Sequence, residues 1–148
     1  MKLFKIFFIV GVLALFGLAI SKALSSSKSK QTDVLIGNQK ISAEVADTNT
    51  LQIKGLSNRD NLDDNAGMLF VFNKPGIYPI WMKEMKFPLD VIWINDGKIV
   101  EMATLQIPSD KNIPQHIPSA ISQQVLELNV GFIDQNKVKI GDPVIIKY

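Results

Sequence analysis

Residues 90–107 read Asp-Val-Ile-Trp-Ile-Asn-Asp-Gly-Lys-Ile-Val-Glu-Met-Ala-Thr-Leu-Gln-Ile. The first five are rich in β-branched and aromatic side chains, the composition of a strand. Asn95-Asp96-Gly97-Lys98 then supplies a turn, because Asp-Gly suits the positive-φ positions of a type I′ hairpin. Ile99 to Ile107 reads as the returning strand. One hairpin is marginal in water and needs further strands or a helix to bury its face. The flanking sequence supplies them.

Upstream, Met68 to Phe72 is a fully apolar strand, and Asn73-Lys74-Pro75-Gly76 turns the chain. Tyr78 to Met82 is a strand broken by Pro79, which predicts an edge or a bulge. Ile41 to Ala46 alternates as a strand does. Asp47 or Thr48 is placed to cap a short helix running to about Leu56. Arg59 to Asn65 is polar and reads as a loop. Downstream, Pro108, Pro114 and Pro118 punctuate a long loop, of the kind that is often functional. Ser122 to Leu128 alternates, with Val125 and Glu127 on one face and Leu126 and Leu128 on the other. Asn129 is placed to cap helical turns through Lys137, Gly141-Asp142 turns, and Pro143 to Lys147 is a last strand. The predicted fold class is mainly β (α+β): a compact antiparallel barrel-like or curled sheet of six to seven strands with two short helices.

The N-terminus differs from this body. Met1 to Lys5 is a basic head, Ile6 to Ile20 an apolar run, and Ser21-Lys22-Ala23 a small-x-small site. Those are the parts of a secretory signal, cleaved after Ala23. The same run, extended over residues 3–24 as an apolar helix with its flanking lysines snorkelling, reads as a membrane anchor. Either way the lysines before the run favour a body outside the cytoplasm, secreted or membrane-anchored. The predicted organisation is a signal or anchor over 1–23, a flexible Ser-rich tether over 24–39, and a β-rich domain over 40–148.

The 148 residues hold no cysteine, which excludes disulfides, thiolate metal sites and cysteine nucleophiles. The net charge of +2 is set by the leader: residues 24–148 carry 13 basic and 14 acidic side chains. A near-neutral body gives no electrostatic reason to bind nucleic acid. There is no Gly-rich phosphate loop, nucleophile elbow or His-Glu-x-x-His pair, and nothing in the sequence calls for a cofactor.

Five segments together are similar to a known family. They are Gly67 to Phe72, Trp81-Met82-Lys83 with Pro88-Leu89-Asp90, Val125 to Leu128, Gly131, and Val138 to Asp142. In this order they resemble domain of unknown function 192 over roughly residues 40–148. Gly55, Leu56, Arg59 and Leu62 resemble that family's Gly-Leu-Met-x-Arg-x-x-Leu segment, with Ser57 in place of methionine. Glu84-Met85 stands where the family usually has Asn-Thr. The resemblance implies a compact β-barrel-like domain, often behind a signal or anchor, and no settled activity.

The residues themselves offer three readings. In the first, the domain binds a small molecule, glycan or peptide: Trp81 stacks on it while Arg59, Lys83, Asp90 and Glu127 hold its polar groups. The bland alternatives are that Trp81 fills the core, that Lys83 and Asp90 pair across a turn, and that Arg59 bridges Asp60, Asp63, Asp64 or Glu127. In the second, Glu127 and Asp90 form the carboxylate pair of a hydrolase. In the third, Met82 and Met85, joined by Met68, Met102 or His116, bind Cu(I). Methionine in the core and a loop histidine in solvent are the ordinary readings of those residues.

Overall fold

The computed structural model of the chain describes residues 29–109 and 111–148. The apolar run proposed as signal or anchor lies outside the described residues. Among those that are described, no helix is long and apolar enough to cross a membrane.

The chain runs β1 (Gln31–Ile36), β2 (Gln39–Ala46), α1 (Asn49–Lys54), β3 (Ala66–Gly76), β4 (Ile80–Trp81), β5 (Leu89–Asn95), β6 (Lys98–Leu105), β7 (Gln115–His116), β8 (Ser122–Asn129), α2 (Phe132–Gln135) and β9 (Val144–Lys147). Seven strands form one sheet in the order β6-β5-β8-β3-β2-β1-β9, while β4 and β7 pair separately. All pairings are antiparallel except β2 with β3, which α1 joins as a crossover. The sheet curls until its outer strands meet at one end. There Ile99 N–H donates to the Asp142 carbonyl and Val144 N–H to the Gly97 carbonyl. The result is a half-barrel, mainly β with two short helices, as the alternation predicts.

The hairpin of residues 90–107 forms as read, with Asp96 and Gly97 at φ 48° and 67°. Pro79 shortens the strand beside it to two residues. Thr48 caps α1, its Oγ1 accepting from the Leu51 amide. Two expectations are corrected. The tether does not extend to residue 39, because β1 begins at Gln31 and pairs with both β2 and β9. Thr32, Val34 and Ile36 face inward and Gly37 makes the turn at φ 57°, so a strand with only three apolar residues is fixed by its two neighbours. Asn129 does not cap α2: its Nδ2 donates to the carbonyls of Leu62 and Asp63, and Gly131 occupies the cap position.

Alternation divides the buried residues into two clusters on opposite faces of the sheet. Val34, Ile41, Leu69, Ile92, Leu126 and Leu128 fill the inside of the half-barrel. Met68, Phe70, Val91, Trp93 and Val125 form the other face, covered by Leu56, Ile80, Met82 and Met85 from the connecting segments. Gly67 marks where β3 comes closest to its neighbours. A Cβ there would lie 2.9 Å from the Glu127 carbonyl oxygen and 3.0–3.1 Å from Leu128 and Ile41 side-chain carbons. Backbone cannot swing aside, so Gly67→Ala is expected to cost about 1–3 kcal/mol by overpacking. Urea unfolding checks this, and a loss below about 0.5 kcal/mol would show that β8 yields more easily than the geometry allows.

Candidate functional site

Glu127 lies mid-strand in β8, between Leu126 and Leu128. Its register partners are Met68 on β3 and Val91 on β5. Cross-strand partners share a face, so the carboxyl joins the outer apolar cluster beneath α1 and the segment after it. Gly55, at the C-terminus of α1 with φ 49°, lets the chain turn closely over this spot: a Cβ there would stand 3.5 Å from Phe70 Cζ and 4.0 Å from Glu127 Oε2.

A cavity of about 310 Å³ opens here. Gly55, Leu56, Ile80 and Met85 line it together with four aromatic rings, Phe70, Phe72, Tyr78 and Trp81, and Glu127. Phe72 and Tyr78 stack on each other, centroids 3.5 Å apart and nearly parallel. Trp81 is half exposed, at 53 %, and Lys83 Nζ sits 5.8 Å from the centre of its ring. Glu127 is buried, and its Oε2 has no hydrogen-bond partner among the described residues. Burial pushes its carboxyl up to about 8, against a smaller downward pull from the Arg59 charge. Glu127 is therefore mainly the neutral acid at pH 7.

Trp81 and Glu127 thus border one cavity, and the other candidates lie elsewhere. Arg59 grips Glu44 of β2 with both guanidinium nitrogens, at 2.5 and 2.9 Å. That pairing holds Glu44 below its ordinary value and raises Arg59. None of the acids first considered for Arg59 is its partner, because the crossover from β2 to β3 brings Glu44 nearer. Lys83 and Asp90 do not pair. Asp90 is buried, accepting from Thr104 Oγ1 at 2.7 Å and from the Ile133 amide at 2.9 Å. Its partner across β8 is Leu128, one residue out of step with Glu127. The two carboxylates consequently point to opposite faces of the sheet, and the hydrolase pair does not form. Met82 and Met85 are buried in the outer cluster as packing. His116 Nε2 lies 2.5 Å from Glu101 Oε1, so the loop imidazole is held rather than free. Partial burial of Glu101 raises its carboxyl, but bonds from His116, Ser119 and the Ala120 amide outweigh this and bring it down to about 2. Glu101 thereby ties the proline-rich loop to β6.

The sequence reading missed Phe70, Phe72 and Tyr78 as cavity walls and Glu44 as the arginine's partner. The signal for Glu44 was present: it is the acid in an alternating strand whose other face is Ile41, Ala43 and Val45.

The cavity is closed on one side by two turns docked together. Ser57 Oγ donates to the Lys83 carbonyl, and the Asn58 amide donates to the Glu84 carbonyl at 2.9 Å. Glu84 adopts φ 59°, a left-handed conformation that disfavours most side chains but suits asparagine. The asparagine usual at this position in the resembling family fits that backbone. Glu84→Asn is expected to stabilise the fold by about 0.5–1 kcal/mol, even though the exposed bond from Asn58 Nδ2 to Glu84 Oε2 is lost. A thermal melt that moves downward would contradict the strain.

Five of the residues that carry the family resemblance line this cavity, Gly55, Leu56, Phe70, Phe72 and Trp81, together with Glu127, whereas Asp90, Gly131 and Val138 to Asp142 lie away from it. Crystal structures that share the fold include the following two. One is a protein of unknown function from Novosphingobium aromaticivorans, 29 % identical, with TM-score 0.72 over 82 % of this chain and 89 % of the other. The second, from Sinorhizobium meliloti, is described as a candidate transcription regulator; it is 25 % identical, with TM-score 0.73 over 82 % of this chain and 98 % of the other. No curated protein matches the sequence. The profile of an uncharacterized ACR family, DUF192, matches residues 32–146, nearly all of the described body. The chain belongs to the DUF192 family.

Proposed function

We propose that the domain is a small-molecule binding module whose site is the aromatic cavity over Glu127. The observation that carries this reading is the orphaned carboxyl oxygen. A buried polar atom without a partner costs roughly 1–3 kcal/mol, and native proteins keep few of them. Here the residue that carries the atom lines a cavity with a half-exposed tryptophan, so an incoming ligand that reaches it both satisfies the oxygen and covers apolar surface. The volume, near the small end of ligand pockets, suits a compact molecule better than a glycan chain or a peptide.

Trp81 tests the reading because it is exposed and contributes little to the core. In a fragment screen by NMR on the full chain, bound compounds are expected to perturb Phe70, Trp81 and Glu127. Trp81→Ala should keep the wild-type circular dichroism spectrum and bind the same compounds at least ~10-fold more weakly, the loss of one aromatic contact of about 1.5 kcal/mol. Compounds that bind the variant equally well would remove the cavity from consideration.

The basic head and apolar run of residues 1–23 support a second proposal, that the domain works outside the cytoplasm as a secreted or membrane-anchored module. Protease accessibility of the body in intact cells tests it. A body fully protected until lysis would contradict it.

A further inference from the structure

The polar groups around the cavity are unequal in what they still have to offer. Three of its side-chain donors are spent. Gln52 Nε2 donates to the carbonyls of Ala46 and Val71, Ser57 Oγ to that of Lys83, and Tyr78 Oη to that of Lys74. Arg59, the charge that acts on Glu127, has committed its guanidinium to Glu44. The acceptor at the floor is unspent. The remaining walls are apolar, Leu56, Ile80 and Met85 with four aromatic rings, whose quadrupoles attract positive charge and repel the oxygen of a carbonyl or carboxylate, and Lys54 at the rim is exposed to solvent.

We infer that the cavity takes an organic ammonium: an amine nitrogen donating to Glu127 Oε2, with its apolar substituent against Phe70, Phe72, Tyr78 and Trp81. This rests on the reading of the cavity as a ligand site and adds the ligand's charge. The nitrogen gains one carboxylate in a desolvated, aromatic-lined place, the combination that recognises ammonium groups elsewhere. Binding moves one proton: Glu127 releases its own to solvent as the ammonium arrives, and a carboxylate–ammonium pair replaces the neutral acid. The groups packed around Glu127 set how that proton behaves. Met68 of β3 and Val91 of β5, its register partners, do not titrate. Arg59 and Glu44 neutralise each other, and Lys54 stands exposed at the mouth.

Two probes of equal shape decide the matter, 2-phenylethylammonium and 2-phenylethanol, titrated into the full chain by calorimetry. The ammonium is expected to bind at least ~10-fold tighter than the alcohol at pH 8.5, the effect of about 1.4 kcal/mol. Its affinity should rise close to ~10-fold per pH unit between pH 6 and 7.5, then level off once Glu127 is ionised in the free protein. Glu127→Gln should remove that preference, so that the two probes bind the variant alike and the ammonium affinity no longer rises with pH. A readout independent of any variant is the Glu127 carboxyl carbon of the wild type at pH 7, which should move to its carboxylate position on adding the ammonium. Equal affinity for the two probes, or ammonium affinity that falls as pH rises, overturns the ammonium inference and leaves the cavity as a site for neutral ligands. Failure of both probes, together with an empty fragment screen, overturns the site itself.

Discussion

Glu127→Gln is expected to stabilise the ligand-free chain at pH 9 and to leave its stability nearly unchanged at pH 4. Glu127 is raised from 4.5 to about 8 in the folded chain, chiefly by burial. Between those values the native state holds a proton that the unfolded state has released. Stability from this group is therefore complete below about 4.5, declines as pH rises toward 8, and stays lost above it. At about 1.4 kcal/mol per unit, the loss is on the order of 3–5 kcal/mol. Glutamine has the same shape and no charge to bury, so the variant should not show this decline. Its amide is still short of partners, which keeps the gain toward the lower end. Urea unfolding of both proteins from pH 4 to 9 measures the difference, and the acid titration of Glu44 and Glu101 cancels between them. Parallel stability curves would mean that water or a partner reaches the carboxyl. A group that costs this much when empty is the kind retained for what it binds.

Trp93→Ala is expected to remove about 3–5 kcal/mol, the usual loss for a fully buried tryptophan. Trp93 is among the largest side chains with no exposed surface. It reaches from the hairpin into the outer cluster, where its ring tilts against His116 at 5.0 Å. Its Nε1 donates to the Tyr78 carbonyl at 2.8 Å. That bond positions Tyr78, which stacks on Phe72 to make a cavity wall, so the variant loses both core and site order. Trp93→Phe separates the two effects. It keeps much of the volume but strips the Tyr78 carbonyl of its donor, for a cost of about 1–3 kcal/mol. Denaturant midpoints for the pair check the values. A cost below about 1 kcal/mol for alanine would show that the cluster collapses around the hole.

The hairpin was legible because Asp96-Gly97 meets a local backbone requirement that few other residues meet. Pro79 likewise forecast an edge, and β4 is one, though two residues long rather than the five read from Tyr78 to Met82. β1 was not legible. Its three inward residues follow a polar tract, and only pairing with β2 and β9 makes them a strand. The two tryptophans show the same divide. Trp93 sits in a run buried on both faces of its strand, whereas Trp81 follows a proline on a two-residue edge and stays half exposed. For the site, an acid within Val-Leu-Glu-Leu was a visible anomaly, and its face within β8 could be read from alternation. Whether Asp90 shared that face could not, because a shift of one residue in the register of β5 against β8 reverses the answer. Arg59 and Glu44 are 15 residues apart and meet only after the chain has crossed from β2 toward β3.

A carbon-detected pH titration of the Glu127 carboxyl in the full, ligand-free chain asks most directly whether an unpartnered acid floors the cavity. The expected midpoint is near 8. A midpoint at the ordinary glutamate value of about 4.3 would mean a solvated, ionised carboxylate, and would contradict both the desolvated site and the binding role built on it.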